Sequence, residues 1–437
     1  MIPRLILTLL FFFGANCFYW IWQNPILLAA ALPALLIPNL AAGFFRKKIP
    51  TKRLKCCNHG LESLYIFTVS AVLSIITQLA LLTQISTIGW KLWALSAVWA
   101  FVANAILFWN GILFVYCTST QLGLKHRVIG ILCGPIPIVH LFALHHIIRI
   151  VRRELRTETE KAALNQSRQH LQICKTKYPI LMVHGVFFRD NKAFNYWGRV
   201  PKQLEENGAT IYYGEHQSAL SIAASAEELA ARIRGIIEKE GCEKVNIVAH
   251  SKGGLDCRYA IAHCGIAPYV ASLTTINTPH QGCGFAEYLL EKVPQSVRDR
   301  LAATYNHAAA VMGDTSPDFM AAVQDLTAAR CQKIMCDLYL PEHIYTQSVG
   351  SVLKGSTSGK FPLNFSQPLV KYFDGPNDGL VAATSFRWGE DYQMIVPKGN
   401  RGISHGDMID LNREDIEGFD VREFYVQLVS KLREKGL

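Results

Sequence analysis

The chain has 437 residues, half of them hydrophobic, and a formal net charge of +10. That length leaves room for more than one domain, and the charge does not signal nucleic acid: much of the basic excess stands in clusters beside apolar runs, as membrane topology demands, and no nucleic-acid module accompanies it. The twelve cysteines lack CxxC pairs and Cys/His metal spacing, so they read as mainly free thiols and no metal site, with Cys331 and Cys336 the one local pair placed for a disulfide.

Residues 1–150 carry most of the long apolar runs. The first, residues 5–22, follows Arg4 but has no small-residue cleavage site or polar mature sequence after it, as a signal peptide would. Gln23-Asn24-Pro25 breaks it, and a second run continues over residues 26–45. Each is close to the roughly 20 residues a helix needs to cross a bilayer, so the two read as a helical hairpin. Arg46-Lys47-Lys48, Lys52-Arg53 and Lys55 then mark a cytoplasmic loop and place the N-terminus inside. Further spans are predicted at residues 64–85 and 92–117, with Trp90 and Trp93 at an interface, and Lys125-His126-Arg127 form a second inside group.

The last run, residues 128–148, is interrupted by Gly134, Pro135 and Pro137 and carries His140, His145 and His146. The two end histidines stand beside Arg149, Arg152 and Arg153, where an interface would hydrate them. If this run crosses, five spans put the C-terminal part outside; if it is re-entrant, that part stays in the cytoplasm. The expectation is therefore an all-α transmembrane region of about four to five helices over 1–150, a polar helical linker over 151–177, and a soluble domain over 178–437.

In that domain, residues 178–186 form a buried-strand run ending at His184-Gly185. A helix over 200–207, a strand over 209–213 and a helix over 224–239 follow. The β-branched run Val245-Asn246-Ile247-Val248-Ala249-His250 leads into Ser251-Lys252-Gly253-Gly254 and a helix to about His263. Another strand over 271–277 ends at Thr278-Pro279-His280. Such alternation is the pattern of a parallel sheet with helices on both faces. Residues 285–330 are helix-rich, with Tyr288, Leu289, Val293, Phe319, Val323 and Leu326 at helical spacing; they form either ordinary core helices or a lid whose apolar face meets acyl chains. Strands return at 343–349 and 392–396, and a helix over 421–435 closes the chain.

Strand, serine, helix is the order of a nucleophile elbow, the sharp turn that lifts a serine hydroxyl clear of a sheet. Gly253 is the small residue two places after Ser251, and Ala249 takes the place of the usual glycine two places before it. A serine hydroxyl is a poor nucleophile and needs a base, which in turn needs an orienting carboxylate. His405, in the glycine-flanked loop Gly402-Ile403-Ser404-His405-Gly406-Asp407 before the last helix, is the base. His263 lies on the elbow helix facing away, and His280 sits at a strand end where it could line the site. The turn Asp374-Gly375-Pro376-Asn377-Asp378-Gly379 offers two acids, Asp374 and Asp378, which position does not separate. Oxyanion donors fall to the amides of Lys252, at the helix start, and Val186, after the first strand.

His184-Gly185-Val186-Phe187, Ala249-His250-Ser251-Lys252-Gly253-Gly254, Asn277-Thr278-Pro279-His280, Asn377-Asp378-Gly379-Leu380-Val381 and Ser404-His405-Gly406-Asp407 resemble motifs of the bacterial triacylglycerol lipases of the α/β-hydrolase superfamily. The resemblance covers most of Tyr178 to the C-terminus. It implies the α/β-hydrolase fold with a helical lid at about 285–330, Asp378 rather than Asp374 as the triad acid, and cleavage of lipid esters through Ser251, Asp378 and His405. Those lipases often carry a structural calcium near the histidine loop. Asp407 resembles one ligand, but no acidic residue between His343 and Tyr372 matches its partner, so no cofactor is expected. The partners implied are an ester substrate and the bilayer, with no protein partner. Two rivals use the same residues differently: a lipid acyltransferase with the same triad, and a membrane transporter or sensor whose hydrolase-like domain only binds.

Overall fold

The computed structural model describes residues 2–43, 49–136, 138–186, 195–396 and 399–437. Arg46, Lys47 and Lys48 of the first basic cluster, Pro137 and Phe187 lie outside the described residues, as does the side chain of Leu289. The chain divides into two compact units, Met1–Gln166 and Ser167–Leu437.

Among its described residues the first unit forms helices and no strand: α1 (Ile2–Asn16), α2 (Phe18–Gln23), α3 (Leu28–Ala41), α4 (Lys52–Leu82), α5 (Ile85–Ile88), α6 (Trp90–Thr118), α7 (Gly123–Cys133) and α8 (Val139–Arg168). Two of these, α4 and α6, are long and apolar enough to cross a membrane, where the sequence predicts four or five spans. The first run breaks at Cys17, and α3, with Pro33 and Pro38 inside it, has 14 residues. At about 1.5 Å per residue, such a helix falls short of the roughly 30 Å hydrocarbon core. The last run splits after Cys133, beside Gly134 and Pro135, into α7 and α8. Proline lacks the amide a helix interior needs and crowds the preceding turn, which is why hydropathy alone overstates these segments.

Helices α4 and α6 approach closely at Gly60 and Gly111: a Cβ on Gly60 would stand 2.7 Å from the Gly111 carbonyl oxygen. Small residues of this kind let two backbones meet where lipid supplies no hydrophobic drive between helices. Polar side chains tie the rest. Asn16 donates to Ser74 Oγ at 2.8 Å, Trp99 to the Gly14 carbonyl at 2.9 Å, and Arg4 pairs with Glu62 at 2.6 Å. Glu154 of α8 is buried, and Arg53, Ser119 and Thr120 all donate to it. The outer faces stay apolar, with Val72, Ile76 and Leu79 on α4 and Val98, Phe101 and Val102 on α6 exposed; hydrocarbon solvates such faces, whereas water penalises them.

The second unit is built on a six-stranded, wholly parallel sheet: β1 (Ile180–Val183), β2 (Ile211–Tyr213), β3 (Val245–His250), β4 (Val270–Ile276), β5 (Tyr345–Ser351) and β6 (Asp391–Ile395), in the order β2-β1-β3-β4-β5-β6. Between and after them come α9 (Val200–Glu206), α10 (Ile222–Glu240), α11 (Lys252–His263), α12 (Gly284–Lys292), α13 (Gln295–Val311), α14 (Phe319–Gln324), α15 (Ala328–Met335), α16 (Leu363–Asp374) and α17 (Val421–Glu434). Strand side chains alternate between faces. Ile180, Met182 and Val248 pack against α9 and α17, through Leu204, Tyr425 and Val429; Leu181, Val183 and Ile247 pack against α10 and α11, through Leu229, Ile233 and Ile261. With both faces covered, the central strands β1, β3 and β4 are buried residue by residue, as parallel sheets require.

From β1 the chain first adds β2 on one side and then builds outward through β3 on the other. The order reverses between β1 and β3, and in open parallel sheets the ligand crevice lies at such a point, beyond the carboxyl ends of the strands. Every predicted strand starts within two residues of an observed one, and α16 is a helix that the sequence reading passed over. Cys331 and Cys336 are both free thiols, the first buried and the second exposed; Cys331 Sγ donates to the Pro279 carbonyl at 3.5 Å.

Candidate active site

Ser251 follows β3 directly and has φ 56°, a left-handed conformation that costs a non-glycine residue about 1–3 kcal/mol and persists only where its surroundings enforce it. Here two contacts from β4 and its exit loop do so. The Ser251 amide donates to the Ile276 carbonyl at 2.9 Å, and Thr278 Oγ1 donates to the Ser251 carbonyl at 2.8 Å. The glycines after it are needed for space: a Cβ on Gly253 would run into the His184 carbonyl, and one on Gly254 into the Thr278 hydroxyl. Helix α11 therefore starts hard against the ends of β1 and β4, and Lys252, its first residue, has an amide with no acceptor available within the helix.

The loop after β1 passes equally close. A Cβ on Gly185 would lie 2.7 Å from Ser251 Cβ, so Val186, which is buried, enters the loop immediately beside the serine. Tyr196 braces this approach: its hydroxyl accepts from the Gly185 amide at 3.1 Å and bonds His250 Nδ1 at 2.7 Å. His184 is fully buried, stacked on His216 with ring centroids 4.0 Å apart, and burial pushes its imidazole down to about 4. It is a neutral structural residue at the end of β1.

His405 and Asp378 meet on the far side. His405 Nδ1 stands 2.6 Å from Asp378 Oδ2, and the His405 amide donates to the Asp378 carbonyl at 2.9 Å. Because a carboxylate only accepts, the imidazole proton sits on Nδ1 and Nε2 is left basic. Asp378 is itself held by three neutral donors: the amides of Leu380 and Val381 to Oδ1, at 2.9 and 2.8 Å, and Asn277 Nδ2 to Oδ2, at 2.6 Å. The His405 ring is 7 % exposed as a residue and lies 4.4 Å, centroid to centroid, from His250. Burial and the nearby His405 hold His250 well below its ordinary value, so it stays neutral.

Asp374 lies elsewhere. It ends α16, and its Oδ2 accepts the Phe285 amide at 3.0 Å at the start of α12. His280 is buried between Arg258 and Thr275, at 3.1 and 3.0 Å, and His263 packs on Tyr259 along α11. Behind the elbow, Lys252 Nζ pairs with Asp256 at 2.7 Å and bonds Ser225 at 3.0 Å, all three buried; burial pushes the Asp256 carboxyl up against the pull of that ammonium. Asn277, which donates to Asp378, and Tyr196, which accepts from the Gly185 amide, are residues of the candidate site that sequence reasoning missed. Asn277 stands within a quoted motif, but nothing local ties it to a turn 101 residues away.

Asp407 does not fit a calcium site. Both its carboxylate oxygens accept from Arg401, at 2.9 and 3.2 Å, one also accepts the Ser404 amide at 2.8 Å, and Arg401 reaches on to Glu414 at 2.8 Å. A guanidinium already supplies the positive charge that a cation would bring. Among the described residues no group of three or more His, Cys, Asp or Glu side chains could hold a metal ion.

The sequence model of the palmitoyl protein thioesterase family matches residues 179–320. The chain is 28% identical over 292 residues to a triacylglycerol lipase of Vibrio cholerae, which covers 60% of this chain and 90% of that protein. It is 26% identical to a triacylglycerol lipase of Pseudomonas fragi, over 60% of this chain and 98% of that one. Among solved structures, Staphylococcus hyicus lipase aligns with a TM-score of 0.47 and 18% identity, covering 60% of this chain and 97% of its own. The likeness to the two triacylglycerol lipases over most of their lengths supports a carboxylic-ester hydrolase.

Proposed function

We propose that the chain is a membrane-anchored serine hydrolase that cleaves lipid carboxylic esters, triacylglycerols among them, through Ser251, His405 and Asp378. The observation that carries this reading is the 2.6 Å pairing of His405 Nδ1 with the buried Asp378 carboxylate, with the His405 ring 4.4 Å from that of His250, the residue before a serine raised on a left-handed strand-to-helix turn. Ser251 Oγ attacks the ester carbonyl carbon while its proton passes to His405 Nε2. The amides of Val186 and Lys252 receive the oxyanion. Collapse of the tetrahedral intermediate breaks the bond to the alcohol oxygen, which takes the proton from His405 as it leaves. Water then attacks the acyl-enzyme by the same route, releasing the fatty acid and restoring the serine proton. Asp378 keeps Nδ1 protonated throughout and stabilises the imidazolium without taking its proton.

The first unit serves as a multi-pass anchor that keeps the hydrolase at its substrate's surface. Its apolar outer faces and the basic clusters of the sequence support that role.

Labelling of the detergent-solubilised chain with a fluorophosphonate tests the chemistry. The parent should label. Ser251→Ala should lose labelling and ester turnover by at least about 10⁴-fold, and Asp378→Asn should lose turnover by about 10³–10⁴-fold with the fold intact. A folded parent that neither labels nor cleaves a soluble ester would sink the reading.

A further inference from the structure

A cavity of about 790 Å³ lies within the helical unit, between α1, α3, α4 and α6. That volume is in the range of pockets that take small organic ligands, roughly 300–1,000 Å³. Its two ends differ in chemistry. Helix α3 finishes and α4 begins at one end, where Arg53 of α4 also reaches the Thr118 carbonyl that closes α6. The lining at this end includes Asn39, Lys55, His59 and Asn110. Toward the middle of the helices it is Phe11, Leu32, Leu36, Ala103 and Ile106.

The polar end is arranged around positive charge and donors. Lys55 and His59 are four residues apart on α4, hence on one face, and Lys55 falls in the first turn, where the helix dipole also favours an anion. His59 is 9 % exposed. Its Nδ1 accepts the Gly43 amide at 3.3 Å, which assigns the ring proton to Nε2 and makes that nitrogen a donor, one that the Asn39 backbone carbonyl also engages. Asn110 is pinned across the helices by its bonds to Asn39, at 2.7 and 3.2 Å. Among the described lining residues there is one cation and no acidic side chain. A polar cluster of this sign above an apolar slot complements an anionic head on a hydrocarbon tail.

We propose that this cavity binds one long-chain fatty acid, its carboxylate at Lys55 and His59 and its chain along Leu32, Leu36 and Ile106. The choice of a fatty acid over another anionic amphiphile rests on the ester-hydrolase reading, whose product it is. A second site for the product, in the helical unit, makes that unit a lipid-binding domain as well as an anchor.

The full-length chain in detergent, incubated with a diazirine-bearing fatty acid and mapped by peptide mass spectrometry, tests this. Photolabel should fall on peptides of α3, α4 and α6. Oleate should displace it, and methyl oleate, which has the chain but no charge, should not. Lys55→Gln should weaken oleate competition by about tenfold, the scale of one charge-assisted hydrogen bond, and Ile106→Trp should block labelling by filling the slot. Both variants should keep the parent's thermal midpoint and gel-filtration profile in detergent, which report that the helical unit folds, and its soluble-ester turnover. Equal competition by methyl oleate, or unchanged affinity in Lys55→Gln, would show a greasy groove without head recognition and overturn the proposal. So would phosphatidate competing more strongly than oleate, which would reassign the site to an anionic phospholipid. Ser251→Ala should bind the probe like the parent. A chain that binds oleate but lacks esterase activity would refute the hydrolase reading and leave the site standing, though its ligand would then no longer be a product.

Discussion

Gly185 has no room for a methyl group, and that fact joins two ends of the sheet. Its missing Cβ faces Ser251 Cβ, so Gly185→Ala must push the loop after β1 away from Ser251. A displacement near 1 Å at a reacting centre costs about 10²-fold in rate. We expect kcat on a soluble ester to fall by that order, with fluorophosphonate labelling slowed in parallel. Tyr196 offers a subtler probe. Tyr196→Phe removes the acceptor of the buried Gly185 amide and the partner of His250 Nδ1. Leaving a buried polar group unpaired costs about 1–3 kcal/mol, so the thermal midpoint should drop and kcat should fall with little change in KM. A large rise in KM instead would assign Tyr196 to substrate contact.

At the scale of elements, α16 stands out because its outward stripe is apolar. Phe365, Leu369 and Tyr372 follow helical spacing, and Phe365 and Tyr372 are 71 % and 84 % exposed. The helix is tied to the acid's turn: Ser366 Oγ donates to the Gly379 carbonyl at 2.5 Å and Asn377 Nδ2 to the Gln367 carbonyl at 3.1 Å. Contact of this stripe with a lipid surface would bury aromatic area worth about 1.5–3 kcal/mol per side chain. Phe365→Ser with Tyr372→Ser should therefore lower turnover of emulsified lipid at least about tenfold while leaving a water-soluble ester untouched. The histidine loop has its own brace. Arg401 spans Asp407 and Glu414, and Arg401→Met leaves the buried Asp407 charge without its cation, a loss of about 3–5 kcal/mol. Chelators should leave the parent's activity and melting point unchanged; inactivation by EDTA, reversed by calcium, would refute the guanidinium's role.

Across the whole molecule, proton linkage sets the acid limit. Burial lowers His184 to about 4 and holds His250 and His280 well below their ordinary value. Between the unfolded value of about 6.5 and those lower native values, the unfolded chain binds more protons. Stability is then full above pH 6.5 and falls as pH drops, by about 1.4 kcal/mol per unit for each such histidine. Asp256, raised by burial to about 7, works in the opposite direction over the whole of that range, so the net slope is that of about two histidines. Melting midpoints of the second unit should fall steadily from pH 7 to pH 4.5; a flat profile would contradict the buried neutral histidines.

Much of the second unit was legible in its residues. The β-branched runs, the small residues after Ser251 and the alternation of strand with helix are local signals, and local signals determine strands, helices and the elbow itself. Position alone could not separate Asp374 from Asp378, because both sit near one turn; only the family resemblance favoured Asp378, and the folded chain sends one to the Phe285 amide and the other to His405. Asn277, Tyr196 and Arg401 were illegible for the same reason, since their partners are brought near only by the packing of separate loops. In the helical unit, hydropathy reported apolar length but not where proline, glycine and Cys17 end a helix. The sequence by itself determined which segments prefer strand, helix or lipid, because those preferences act over a few residues. Tertiary structure alone decided which side chains meet, because hydrogen bonds and ion pairs depend on distances that chain order does not contain.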